Sequence, residues 1–198
     1  MTVPMIPDRY ESDWQLARGL SESEIIPKVF HKKPADCFLV IGVAKSLGIG
    51  LLQAFSSVYV LGGKVGIDAK LTIALANRSG VFSEPIDFRA DGEEGKDLRV
   101  TAFSKLSVTG RDVSVTITWH TAELEGWTRN PKYKSMGTQM LKYRAATWLS
   151  RLYCPAVLAG LETRDEIEDR SYAGRRPLEV RIQDRMQELN AQIKGIAK

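Results

Sequence analysis

Along Arg111–His120, Val113, Val115, Ile117 and Trp119 alternate with Ser114, Thr116 and Thr118. That period of two predicts a half-buried strand with one face on a core. The two preceding segments, VFSEPIDFRA and LRVTAFSKLSV, read as strands as well. Pro85 places the first at an edge or a bulge. The turns DGEEGKD and Thr109-Gly110 join the three into a meander. Upstream, VYVLGGKVGI holds two β-prone runs around Gly62-Gly63, the pattern of a hairpin with a primed turn. In IDAKLTIALANRSG, Asp68 stands as N-cap of a helix that Gly80 stops.

From Met136 to Tyr153 the period becomes helical. Leu141, Ala145, Trp148 and Leu152 form one apolar stripe, and Pro155 ends the helix. Thr163 with Glu166 makes a capping box for a further short helix. Glu162, Asp165, Glu166, Glu168 and Asp169 crowd its start, where the helix dipole favours acids, so they read first as structural. Near the N-terminus, residues 1–9 read as extended and Tyr10–Leu20 as a short helix contacting through Trp14, Leu16 and Leu20. FLVIGVAKSLGIGLLQAF is apolar nearly all round, and periodicity leaves buried helix and buried strand both open. After AGRRPL, Leu178, Ile182, Met186, Leu189 and Ile193 repeat as an amphipathic helix. Strands in sequence followed by helices predict an α+β class: an antiparallel sheet, built from the hairpin and the three-stranded meander, packed against helices.

Charge changes the picture more than composition does. The 198 residues carry a net charge of +4. Arg129, Lys132, Lys134, Lys142, Arg144 and Arg151 all fall between Gly126 and Leu161, a stretch without Asp or Glu, so the rest of the chain is net negative. Segregation of this kind is the footprint of a polyanion-binding face. Trp127, Tyr133, Tyr143, Trp148 and Tyr153 are interleaved with these cations. Trp148 lies on the apolar stripe and reads as core. Trp127 and Tyr133, in the approach to the helix, read as candidates to stack on exposed bases. Arg144 and Arg151 are two turns apart, about 10 Å along one helix side. The bland alternative is that both arginines pair with the acidic cluster downstream.

Other chemistries find little support. GVAKSLGIG superficially resembles a dinucleotide-binding turn, but five residues separate Gly42 from Gly48 and hairpin-connected strands follow. His31, His120, Cys37 and Cys154 have no metal-ligand spacing, and His120 reads as a surface or capping residue. No nucleophile elbow, Walker A sequence or catalytic carboxylate pair stands out. No cofactor is expected. Two unframed cysteines fit a reducing compartment. The start lacks a signal-peptide pattern and the apolar stretches fall short of a membrane span, so a cytoplasmic protein is expected.

The block NPKYKSMGTQMLKYRAATWLSRLYCPAVLAGLETRDEIED resembles the most characteristic segment of the RecT/Bet family of phage single-strand annealing proteins. The matching positions are Asn130-Pro131-Lys132-Tyr133, Met140-Leu141, Lys142, Arg144-Ala145, Arg151, Tyr153-Cys154-Pro155, Gly160, Asp165-Glu166 and Asp169. AKSLGIGLLQAFSSVYVLGGKVGIDAKLTIALANRSG is similar to the family's second hallmark, and the two blocks span roughly residues 35–170. The resemblance implies a single-strand annealing core over 1–172, with 173–198 as linker and terminal helix, and it makes FLVIGVAKSLG a helix. It implies binding of single-stranded DNA and annealing of complementary strands in ATP-independent recombination, with no chemical step. It also implies rings or helical filaments holding an annealed duplex intermediate, a partner exonuclease, and a bacterial host cell. Under it the DNA contacts are Arg144, Arg151, Lys142, Lys134, Lys132 and Arg129, with Trp127 and Tyr133 against bases. An RNA-binding or RNA-chaperone module is the alternative from the residues alone.

Overall fold

The structure is a computed structural model that describes residues 10–61, 64–158 and 160–173. The expected extended start, the Gly62-Gly63 turn and the terminal stripe Leu178–Ile193 lie outside the described residues.

The architecture is α+β, with two small sheets packed against helices. Helix α1 (Glu11–Ser21) lies along α2 (Pro34–Leu47), tied to it by Lys45 and Asp13 at 2.6 Å. The ambiguous apolar stretch is helical. Cys37, Val40, Ile41, Ala44 and Leu47 follow the helical period and are buried. Gly48 stops α2 at φ +60°, where a glycine costs least, and the Ile49 N–H donates back to the Ala44 carbonyl at 3.0 Å. After α3 (Leu51–Ser57) comes the expected hairpin, β1 (Val58–Leu61) against β2 (Lys64–Ile67), with Leu61 opposite Lys64. Helix α4 (Ala69–Arg78) starts where predicted: the Leu71 N–H donates to the Asp68 carboxylate at 2.6 Å. At its far end Arg78 donates to the Leu47 and Gly48 carbonyls, which couples α4 to the end of α2.

The meander is β3 (Asp87–Asp91), β4 (Arg99–Lys105) and β5 (Asp112–Thr118), antiparallel in that order. Strand β3 begins after Pro85 and lies at an edge, as the proline requires. The alternation holds: Val100, Ala102, Val113 and Ile117 face the core. The last strand ends earlier than its pattern, however. Thr118 caps a short helix, α5 (Trp119–Leu124), by accepting from the Thr121 N–H, and His120 is exposed on it.

Hairpin and meander are two separate sheets rather than one. The first gains a strand that no pattern announced: β6 (Glu162–Thr163) runs parallel to β2, with Gly66 opposite Glu162. Gly66 permits this approach, because a Cβ there would lie 2.9 Å from the Glu162 carbonyl oxygen. Helix α6 (Lys132–Tyr153) spans the meander core, and α7 (Pro155–Leu158) and α8 (Arg164–Ala173) follow. The capping box forms at α8: the Thr163 N–H donates to Glu166 at 2.9 Å and the Glu166 N–H to the Thr163 hydroxyl at 3.4 Å. Of the predicted stripe on α6, Leu141 and Ala145 are fully buried, whereas Trp148 is half-open and Leu152 exposed. The helix packs on α4 as well as the sheet, so Met140, Ala146 and Leu149 are buried too and the buried face is broader than a single stripe. Cys37 and Cys154 are both buried and unpaired. Among the described residues no single helix is long and apolar enough to cross a membrane.

Candidate nucleic-acid interface

Helix α6 opens with one turn, breaks at Met136 (φ −152°, ψ 44°) and restarts at Gly137. The residue after the break sits tightly against α5. A Cβ on residue 137 would stand 2.7 Å from Cζ3 of Trp119, so only glycine lets the helix lie this close to α5. Glu94 caps the restarted helix from the β3–β4 loop, accepting from the Thr138 N–H at 2.7 Å and from its hydroxyl. These two bonds hold the Glu94 carboxyl below its ordinary range.

Three of the six segregated cations meet the acidic cluster of α8. Arg144 is only 6% exposed and donates to Asp169, which is fully buried; its other terminal nitrogen is 3.4 Å from Glu166. The guanidinium also lies 4.0 Å from the ring centre of Trp127. Asp169 accepts further bonds from the Asn130 amide at 2.8 Å and the Tyr133 hydroxyl at 3.0 Å. Burial, then the Asp169 charge, pushes the Tyr133 phenol well above its usual value, so it stays a donor. Arg151 grips Glu166 through both terminal nitrogens, and Lys132 reaches Glu168 at 2.6 Å and Asp165 at 3.6 Å. Burial alone pushes Glu166 up, but the bonds from Arg151 and the Thr163 N–H outweigh it and leave the carboxyl below its usual range. For Asp165, burial wins and the carboxyl is raised.

This placement corrects the expected contacts. Arg144 does not face solvent, and Trp127 and Tyr133 are core residues, 7% and 1% exposed, without a free face for a base. Arg151 and Lys132 are ion-paired. The acid-free stretch in sequence is not acid-free in space, because β6 and α8 fold back over it. Lys134 and Arg129 are exposed, and Lys142 lies 5.8 Å over the Phe88 ring. No carboxylate of the described residues lies within ion-pair distance of Lys134 or Lys142.

The accessible chemistry gathers next door. A groove of about 520 Å³ runs between β1, the start of α4, α6 and α8. Lys70, Lys132 and Arg164 supply its cations, Tyr59 and Tyr143 its aromatic rings, and Gln139 an amide. Gln139 and Tyr143 point the same way because they are four residues apart on the restarted helix, and Met136 at the break lines the groove with them. The Arg164 guanidinium sits 4.5 Å from the centre of the Tyr59 ring and is held by Glu168 at 2.6 Å. Both groove acids are engaged: Asp68 caps α4 and Asp165 faces Lys132. Lys70 is exposed, with no carboxylate of the described residues in ion-pair range. No sequence pattern ties Tyr59, Lys70 and Arg164 to the basic helix, and Tyr59 lies 73 residues before Lys132. The one available signal was a tyrosine beside a hairpin and a lysine in the first helical turn.

Among the described residues no group of histidines, cysteines or acids is arranged to hold a metal ion. Searches against protein-family models and against curated proteins find no match for the chain.

Proposed function

We propose that this protein binds single-stranded DNA and anneals complementary strands without nucleotide hydrolysis. The observation that carries the reading is the groove, in which the exposed Lys70, beside the ion-paired Lys132 and Arg164, stands near accessible tyrosine rings. Phosphates need positive charge at the rim and bases need flat faces within, and single strands offer both together. Of the positions that resemble the RecT/Bet family, Lys132, Met140 and Asp165 line the groove, while Asn130, Tyr133, Arg144 and Asp169 form a buried joint.

In this reading the mechanism is positional. Cations hold one backbone and screen its self-repulsion while the bases not held in the groove stay available. A complementary strand then pairs, and the free energy of annealing is that of the DNA itself. Several copies act together as a ring or filament, beside an exonuclease that exposes the single strand.

The test is fluorescence anisotropy with a labelled single strand across a salt series, paired with annealing followed by energy transfer. Lys70→Gln should flatten the log–log salt slope by roughly 0.7 and leave the melting temperature unchanged. Absence of single-strand binding at low salt would defeat the proposal, as would annealing that requires a nucleoside triphosphate. Tighter binding to RNA than to DNA of the same sequence would favour an RNA chaperone instead.

A further inference from the structure

Phosphate-binding cations explain the rim of the groove but not its lining. Tyr59, Tyr143, Gln139 and Asp165 would be superfluous to a purely electrostatic track. A volume of about 520 Å³ lies within the range of small-molecule sites and is ample for one base with its sugar. The tyrosines offer flat apolar faces with polar tips. Arg164, layered on Tyr59 and clamped by Glu168, adds a second plane fixed in advance, and guanidinium planes stack on bases as aromatic rings do. Gln139, one turn before Tyr143, carries both a donor and an acceptor. Asp165 supplies acceptor oxygens, one of them 3.6 Å from Lys132.

We propose that the groove is a nucleobase pocket. It takes one unstacked base of the bound strand against Tyr143 and the layered Tyr59–Arg164 pair, with Gln139 and Asp165 at the base edge and Lys70 on a flanking phosphate. This rests on the single-strand reading above and sharpens it. A base inside a duplex does not reach such a pocket without leaving its stack, so the pocket selects single strands over duplex.

The experiment compares an oligodeoxythymidine with an abasic strand of the same length and phosphate count, by anisotropy at fixed salt. The wild-type protein should hold the oligodeoxythymidine about five- to a hundredfold more tightly. Tyr143→Leu should erase most of that ratio while leaving the abasic affinity where it was, and Tyr143→Phe should keep it. Equal wild-type affinity for both strands would overturn the pocket and leave the phosphate track standing. A Tyr143→Leu variant that loses the same factor on both strands would also overturn it, since the ring would then be acting on the fold. Failure to bind either strand would remove the pocket and the single-strand reading together.

Discussion

Replacing Arg144 with alanine should unfold the protein more readily rather than merely weaken its hold on a polyanion. The guanidinium is 6% exposed, and its partner Asp169 is fully buried. Without the arginine, Asp169 keeps only the Asn130 amide and the Tyr133 hydroxyl as donors, and no cation. Leaving a buried carboxylate uncompensated costs about 3–5 kcal/mol. The lost stack on Trp127 adds to that cost. In a domain of this size each kcal/mol moves Tm by about 2–4 °C, so Arg144→Ala should melt about 6–20 °C lower. Arg151 makes the informative control. Its side chain is 37% exposed, and Glu166 would retain the Thr163 N–H and hydroxyl. A half-exposed ion pair contributes about 0.2–1 kcal/mol, so Arg151→Ala should lose only a few degrees. Calorimetry or near-ultraviolet circular dichroism reads both. Since breaking the pair is worse than removing it, Arg144→Met with Asp169→Leu should recover part of the loss in either single variant. If Arg144→Ala melts within a degree or two of wild type yet loses single-strand affinity, the buried-joint assignment is wrong and Arg144 is a surface contact after all.

Gly137→Ala should lower stability by about 1–3 kcal/mol, because the new methyl meets the Trp119 ring at 2.7 Å and that ring is pinned by its bond to Glu123; thermal melting checks it, and an unchanged Tm would mean that the Trp119 ring gives way to the methyl. The carboxylates of α8 should respond to neutralisation with opposite signs. Glu166 lies below its ordinary value of 4.5, so its stabilisation is present above that pH and is lost as pH falls through the depressed value. Glu166→Gln should therefore melt several degrees lower at pH 7 and converge on wild type in acid. Asp165 is raised by burial, so its charge costs stability at neutral pH, and Asp165→Asn should melt at or above the wild-type temperature. A matched loss in both variants at pH 7 would contradict the asymmetry.

Local chemistry was legible in the sequence wherever it acts over a few residues. The Asp68 cap, the Thr163–Glu166 box, the hairpin strands and the alternation of Val113, Val115 and Ile117 all depend on neighbours within a turn or a strand pair, and the structure has them where the pattern put them. The α+β class followed from the order of such elements. One feature went unforeseen and one reading went astray for the same reason: each needed a partner distant in the chain. Strand β6, two residues long, exists because Gly66 lets it close on β2, and no period is visible in two residues. The six cations of 126–161 stand in an acid-free run, which sequence rightly registers as segregated charge. Their electrostatic fate is set by α8, which brings Asp165, Glu166, Glu168 and Asp169 to Lys132, Arg144 and Arg151. Coulomb attraction depends on distance in space and on exclusion of water, and a linear pattern encodes neither. The sequence by itself therefore determined that this helix carries concentrated charge, and only the tertiary structure decided which charges are locked into a joint and which, with Tyr59, Lys70 and Arg164, line an open groove.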